Sequence, residues 1–149
     1  MSPEAAMIAR AVHERRPLAS VIGVPQASLE AARALARWAG AIGEPHLAIA
    51  AWEGCAALDD APSSWLGLAD AALAAGDARR AFEAAARACA HPAATRADRD
   101  RAALASARAC LCGGLDEDAR AWLRTLTRET EPEVARMAGV IEEALGRRR

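Results

Sequence analysis

Trp65-x-x-Leu68, Gly76-Asp77, Ala81, Ala85, Ala88 and Pro92 make up one helix–turn–helix unit. Glycine stands where the chain must reverse, and alanine where two helices must touch. Asp77 starts the second helix as its N-cap. The same frame fits upstream as Ala32, Leu35, Ala36, Ala39, Gly43, Ala48, Trp52, Cys55 and Pro62. It fits downstream as Ala103, Ser106, Ala107, Cys110, Gly114, Ala119, Leu123, Leu126 and Pro132. The turn glycines Gly43, Gly76 and Gly114 lie 33 and 38 residues apart. The longer second interval predicts an insertion near His91–Asp100. Such a period marks stacked helical hairpins, none of which buries its apolar face alone. The predicted fold is all-α, with three hairpins over 26–132.

The flanks follow from capping chemistry. Residues 1–25 read as an N-terminal helix and connector. Ser2-Pro3-Glu4 is a helix start, with Ser as N-cap and Pro at the first helical position. Arg15-Arg16-Pro17 breaks that helix after about Glu14. Residues 17–25, with Gly23 and Pro25, read as a connector whose Leu18, Val21, Ile22 and Val24 tuck against the stack. Glu44-Pro45 starts the second helix of the first hairpin. Thr130-x-x-Glu133, with Pro132 inside it, fits a capping box. Residues 133–149 are a capping helix, from about 132 to 145, and a basic tail. Such a cap covers the apolar side of the last hairpin. Gly146 is expected to release Arg147-Arg148-Arg149 into solvent.

Composition bounds the function. The 149 residues suit one continuous core. Alanine supplies much of the apolar fraction, so the four Trp carry a large share of the packing. Trp52 and Trp65 occupy core positions, and Trp→Ala at either should cost roughly 3–5 kcal/mol. Trp122 is expected in the core, and Trp38 against the N-terminal segment or a second copy. The net charge of −1 argues against a general nucleic-acid binder. Every side-chain cation except histidine is Arg; the bland reading is a GC-rich genome, the functional one a need for forked donors. No run reaches the roughly 18 apolar residues of a membrane helix. The N-terminus lacks the pattern of a secretory signal. Cys55, Cys89, Cys110 and Cys112 fall in predicted helices, where a cytosolic protein keeps them reduced.

The hairpin frame resembles the tetratricopeptide repeat (TPR) family over residues 29–132. The match at Trp65…Leu68…Gly76-Asp77…Ala81…Ala88 is the most specific. The resemblance implies a right-handed superhelical stack of three repeats. A narrower likeness is to the class II type III secretion chaperones. It rests on the short N-terminal helix, the chain length and the order of the motifs. Those motifs are Leu35-Ala36 before Gly43, Trp52 with Leu58-Asp59, Trp65-Leu66-Gly67-Leu68, and Gly114-Leu115-x-x-x-Ala119. Where that family carries aromatics on the concave side of its first repeat, this chain has Arg33, Arg37 and Gly40. The likeness implies a bacterial cytoplasmic protein that holds a hydrophobic translocator or effector segment until export. It also implies self-association through the N-terminal region. The alternative is a TPR scaffold or adaptor joining folded proteins.

In such a stack the first helix of each hairpin lines a concave groove. By that resemblance the groove positions are Glu30, Arg33, Arg37, Gly40 and Ala41 in the first repeat. They are Ser63, Leu66, Asp70, Leu73 and Ala74 in the second, and Arg101, Leu104, Arg108, Leu111 and Cys112 in the third. The candidate binding residues are therefore Arg33 and Arg37, then Leu66, Asp70 and Leu73, then Arg101, Leu104, Arg108 and Leu111. Four Leu form a stripe with Arg at both ends, suited to an extended, partly apolar segment bearing carboxylates. The competing reading is that these Leu pack between hairpins or against the N-terminal helix. Clamping of a C-terminal carboxylate needs Asn in the groove, and the chain has none.

No motif points to catalysis, a cofactor or a metal. Cys110-x-Cys112 places the two thiols about 200° apart on a helix. His13, His46 and His91 are isolated, and phosphate-loop and nucleophile-elbow patterns are absent. Asp116-Glu117-Asp118 suits a helix N-terminus. Asp98-Arg99-Asp100-Arg101 reads as a solvated, self-paired charge cluster.

Overall fold

Gly43, Gly76 and Gly114 reverse the chain in the same way. All three are left-handed, at φ 79°, 77° and 74°. Each glycine N–H donates to a carbonyl three residues back: Gly40, Leu73 and Leu111. The next residue's N–H donates five back, to Ala39, Ala72 and Cys110. The paired bonds satisfy the last helical carbonyls, and only glycine takes this turn without a Cβ penalty.

These turns join α3 (Gln26–Ala41) to α4 (Pro45–Asp59), α5 (Pro62–Ala74) to α6 (Ala78–Ala90), and α7 (Arg96–Cys112) to α8 (Asp116–Arg124). Before them come α1 (Pro3–His13) and α2 (Leu18–Ile22), and after them α9 (Pro132–Arg147). The computed structural model describes residues 2–14, 16–126 and 128–148, and among these there is no strand. Of the residues expected in the first break and the tail, Arg15 and Arg149 lie outside the described set.

From α3 to α8 each helix packs on the next. The odd helices also approach one another closely along their backbones, α3 on α5, α5 on α7 and α7 on α9, whereas α4, α6 and α8 lie farther apart and meet through long side chains, as in Arg80–Glu53 and Phe82–Trp122. The stack therefore fans, with the odd helices inside the curve. Alanine makes this closeness possible: Ala36, Ala39, Ala69, Ala72, Ala85 and Ala107 are fully buried. Helix α7 is buried nearly all round because α5, α6, α8 and α9 all lie against it. One core gathers Trp52 and Leu68 among the alanines of α3 to α6, and a second gathers Leu104, Leu123, Val134, Ile141 and Leu145.

Asp77 caps α6 by accepting from the Arg80 N–H, and Ser2 accepts from the Ala5 N–H. Several expectations are corrected. The connector contains the short helix α2, which packs on α4; Ala19 is buried there while Ile22 stays exposed. The capping box is not at Thr130. Pro132 takes the first helical position of α9, so Glu131 is the N-cap and Thr130 falls one residue too early to reach N3. Its hydroxyl is buried without a hydrogen-bond partner among the described residues. The box forms instead at Thr95 and Asp98, each side chain accepting from the other's backbone N–H. That box starts α7 at Arg96 and turns the second half of the expected insertion into helix.

The cluster at 98–101 is consequently spread round the helix rather than solvated throughout. A helix spreads successive residues about 100° apart. Asp98 caps, Asp100 is buried, and Arg101 pairs with Glu131. Gly146 does not release a tail either, since α9 runs on to Arg147, which pairs with Glu143. Arg148 donates to the Leu111 carbonyl and to Asp116, anchoring the end of α9 across α7 and α8. The tryptophans divide unevenly. Trp52 is buried and Trp65 half-buried, its indole N–H donating to Asp60 while Arg87 stacks over the ring at 4.7 Å. Trp122 is half-buried edge-on to Phe82, at 6.0 Å between ring centres, and Trp38 is exposed.

Candidate concave binding site

The inside of the curve holds a hollow of about 520 Å³. Helix α3 supplies Arg37, α5 supplies Leu66, Gly67 and Asp70, and α7 supplies Arg101, Leu104 and Arg108. Helix α9 closes the far side with Val134 and Met137, preceded by Glu131. The floor between α4 and α5 is Trp52, which lies against Gly67. Of the nine residues singled out from sequence, Arg37, Leu66, Asp70, Arg101, Leu104 and Arg108 meet here.

The other three lie elsewhere. Arg33 crosses from α3 to the end of α4, where its Nη2 donates to Asp59 Oδ2 at 2.6 Å and its Nε to the same oxygen at 3.2 Å. It also pairs with Glu30. Asp59 accepts from Ser64 Oγ and from the Ala61 N–H, so the carboxylate ties α3, α4 and α5 together. The carboxylate raises the Arg33 pKa above the ordinary arginine value, more than burial lowers it. Leu73 lies at the last turn of α5, where α6 folds back, and is half-buried against Ala72, Ala81 and Ala109. Leu111 holds the equivalent place on α7 and packs into the second core. Neither lines the inner hollow.

Charges in the hollow are largely matched. Arg108 Nη1 lies 3.5 Å from Asp70 Oδ1, and Arg101 Nη2 lies 2.8 Å from Glu131 Oε2. The Glu131 hydrogen bond is the main reason the Arg101 pKa is raised. Arg37 has no ion pair among the described residues.

Asp70 is the site's electrostatic anomaly. Its side chain is 70% exposed by surface area, yet it stands in a concave wall where protein surrounds a carboxylate that water can still touch. That crowding raises its pKa, against the opposing pull of Arg108 and then Arg101. A carboxylate with a raised folded-state pKa destabilises the fold once pH exceeds its unfolded value. Asp70→Asn should therefore stabilise the protein at pH 7, by about 0.5 kcal/mol or less given the exposure. The gain should shrink as pH falls through the folded pKa and vanish below the unfolded value. Urea unfolding at pH 7 and pH 3 checks both parts; destabilisation at pH 7 would mean that the Arg108 pair outweighs the crowding.

Sequence reasoning missed the contribution of α9, having treated it as a cap. Val134, Met137, Ala138, Ile141 and Leu145 recur at helical spacing, and the proline start resembles that of α5. Those signals place α9 in the slot a fourth first-helix would take.

A second hollow, of about 680 Å³, lies on the outer side between α6 and α8. Phe82, Trp122 and Leu115 wall it, and Ala109 and Cys110 lie beneath. Among the described residues no group of three or more His, Cys, Asp or Glu could hold a metal ion, and no helix is long and apolar enough to cross a membrane. No family model matches the chain, and neither does any curated protein or solved structure.

Proposed function

We propose that this chain is a TPR-like protein-binding module that holds an extended segment of a client protein across its concave hollow. The observation that carries this is the convergence of Leu66, Leu104, Val134 and Met137 between Arg37 on one side and Glu131 on the other. Apolar side chains framed by charge suit a partly apolar peptide. The repeated glycine turns and the contacts among the odd helices support the TPR-like reading. The most concrete form of the proposal is a cytoplasmic type III secretion chaperone, which keeps an aggregation-prone client soluble until export. Self-association, where it occurs, would use the open face at the end of α3, where Leu35, Trp38 and, just past the helix, Ile42 are all half exposed or more. Binding rather than catalysis is the proposed activity, with no cofactor.

A second reading has its own observation. The outer hollow walled by Phe82, Trp122 and Leu115 would serve an adaptor that grips a folded partner by its convex side. Leu66→Asp separates the two. Leu66 is half-buried and lines the inner hollow, whereas Phe82 lines the outer one. Leu104 is a poorer target, because it is 9% exposed and belongs to the second core. Tagged wild-type and Leu66→Asp proteins would be purified from the native host and their partners identified by mass spectrometry. A stoichiometric, otherwise insoluble client that is lost from a still-helical variant is the expected result. Soluble partners retained by Leu66→Asp and lost on Phe82→Asp would sink the groove reading and leave the adaptor.

A further inference from the structure

The concave wall carries alternating charge along the row of odd helices. Arg37 is on α3, Asp70 on α5, Arg101 and Arg108 on α7, and Glu131 and Glu133 lie at the start of α9. Interior charges are closed within the wall, Asp70 to Arg108 and Arg101 to Glu131. Asp98 is occupied in the Thr95 capping box. The two edges are left over. At one stands Arg37, without an ion pair among the described residues. At the other stands Glu133, whose pair with Arg136, at 3.7 Å with side chains 81% and 73% exposed, is longer and wetter than the two inside the wall.

We propose that the client segment is charged at both ends and apolar between. It places a carboxylate on Arg37 at the α3 edge, apolar side chains over Leu66 and Leu104, and a cation at the α9 edge near Glu133. This rests on the reading of the hollow as the client site. Apolar side chains settling over the wall strip water from the edge charges. A stripped charge left unpaired is costly, whereas a carboxylate on the guanidinium fork restores its bonds. Packed helices lie roughly 8–10 Å apart, so four in a row span roughly 24–30 Å. An extended chain at roughly 3.3 Å per residue crosses that width in roughly eight or nine residues.

The test uses the full chain and three fluorescent nonapeptides. All share a centre of alternating Ser and Leu; their ends are Asp and Arg, Asp and Asp, or Arg and Arg. By anisotropy, the mixed-end peptide should bind tightest, by up to roughly fivefold. Arg37→Glu should weaken the mixed and doubly acidic peptides and strengthen the doubly basic one. The differences should shrink as salt rises. Equal binding of all three, or an equal loss of all three in Arg37→Glu, would overturn the charge assignment. If that equal binding were still abolished by Leu66→Asp, the client site itself would stand. Binding of none of the peptides, or binding indifferent to Leu66→Asp, would overturn the site and this proposal with it.

Discussion

Gly67→Val will lose about 3 kcal/mol of folding free energy, a large share of the 5–15 kcal/mol typical of a domain this size. A Cβ placed on Gly67 falls 2.4 Å from Trp52 Cε2 and 2.5 Å from Cδ2. Real Cβ atoms essentially never approach so closely, so the indole or the helix must move. The indole has little room. Trp52 is buried, and its cluster includes Ala48, Leu68, Ala69 and Ala85. Gly67→Ala meets the same ring but gains about 1 kcal/mol of helix propensity, so its net loss is smaller. The explanation makes a second demand. Trp52→Leu alone should cost about 2–4 kcal/mol by leaving a void, but in the Gly67→Val background the valine fills that void. The double variant should beat the sum of the singles by about 1–3 kcal/mol. Denaturant midpoints of the four proteins close the cycle. Strict additivity would show that Gly67 is small for some reason other than the indole.

That contact also marks what could be read from the sequence. The hairpins were legible because their turn chemistry is local: a glycine that must be left-handed, followed by a residue that starts a helix. Asp77 and the Glu44-Pro45 step each act within one turn of chain. Three of the nine candidate binding residues lie outside the hollow because their fate depends on neighbours remote in sequence. Whether Leu73 faces solvent depends on where α6 and α7 close over it. Arg33 has the same spacing on α3 as Arg37, one turn away, and nothing local says that Asp59 will take it. The missed capping box has a different origin. Thr130 and Thr95 both precede an acid by three residues, and the proline within the Thr130 stretch moves the cap one residue along. At Gly67 the sequence offers a glycine inside a helix, a pattern that marks a close approach without naming what approaches.

Asp59→Ala should be the most damaging change of a single charged residue, costing about 3–5 kcal/mol. Arg33 is 17% exposed and Asp59 is 7% exposed. Removing the carboxylate leaves a nearly buried guanidinium with, among the described residues, the exposed Glu30 as its remaining ion-pair partner. It also deprives the fully buried Ser64 hydroxyl of its acceptor and frees the Ala61 N–H. Asp59→Asn keeps the shape and one acceptor oxygen, so its loss should be smaller. Arg33→Leu with Asp59→Leu removes both charges and should be milder than Asp59→Ala, because no buried ion is stranded. The sign of the arginine's shift fixes the pH behaviour of the loss. A cation whose folded pKa is raised gives its full stabilisation below its unfolded value and loses it only as pH rises through the folded one. The Asp59→Ala deficit should therefore be the same at pH 6 and pH 8, below the range of the nearby Cys55 thiol, which burial and then Asp59 push up. The tie also reaches the binding face, since Arg37 stands one turn beyond Arg33 on the helix that Asp59 holds against α5. Conditions that keep Asp59→Ala folded should still show weakened selectivity for a peptide with an acidic end. Full selectivity in that variant would mean that α3 is placed by its alanine packing alone.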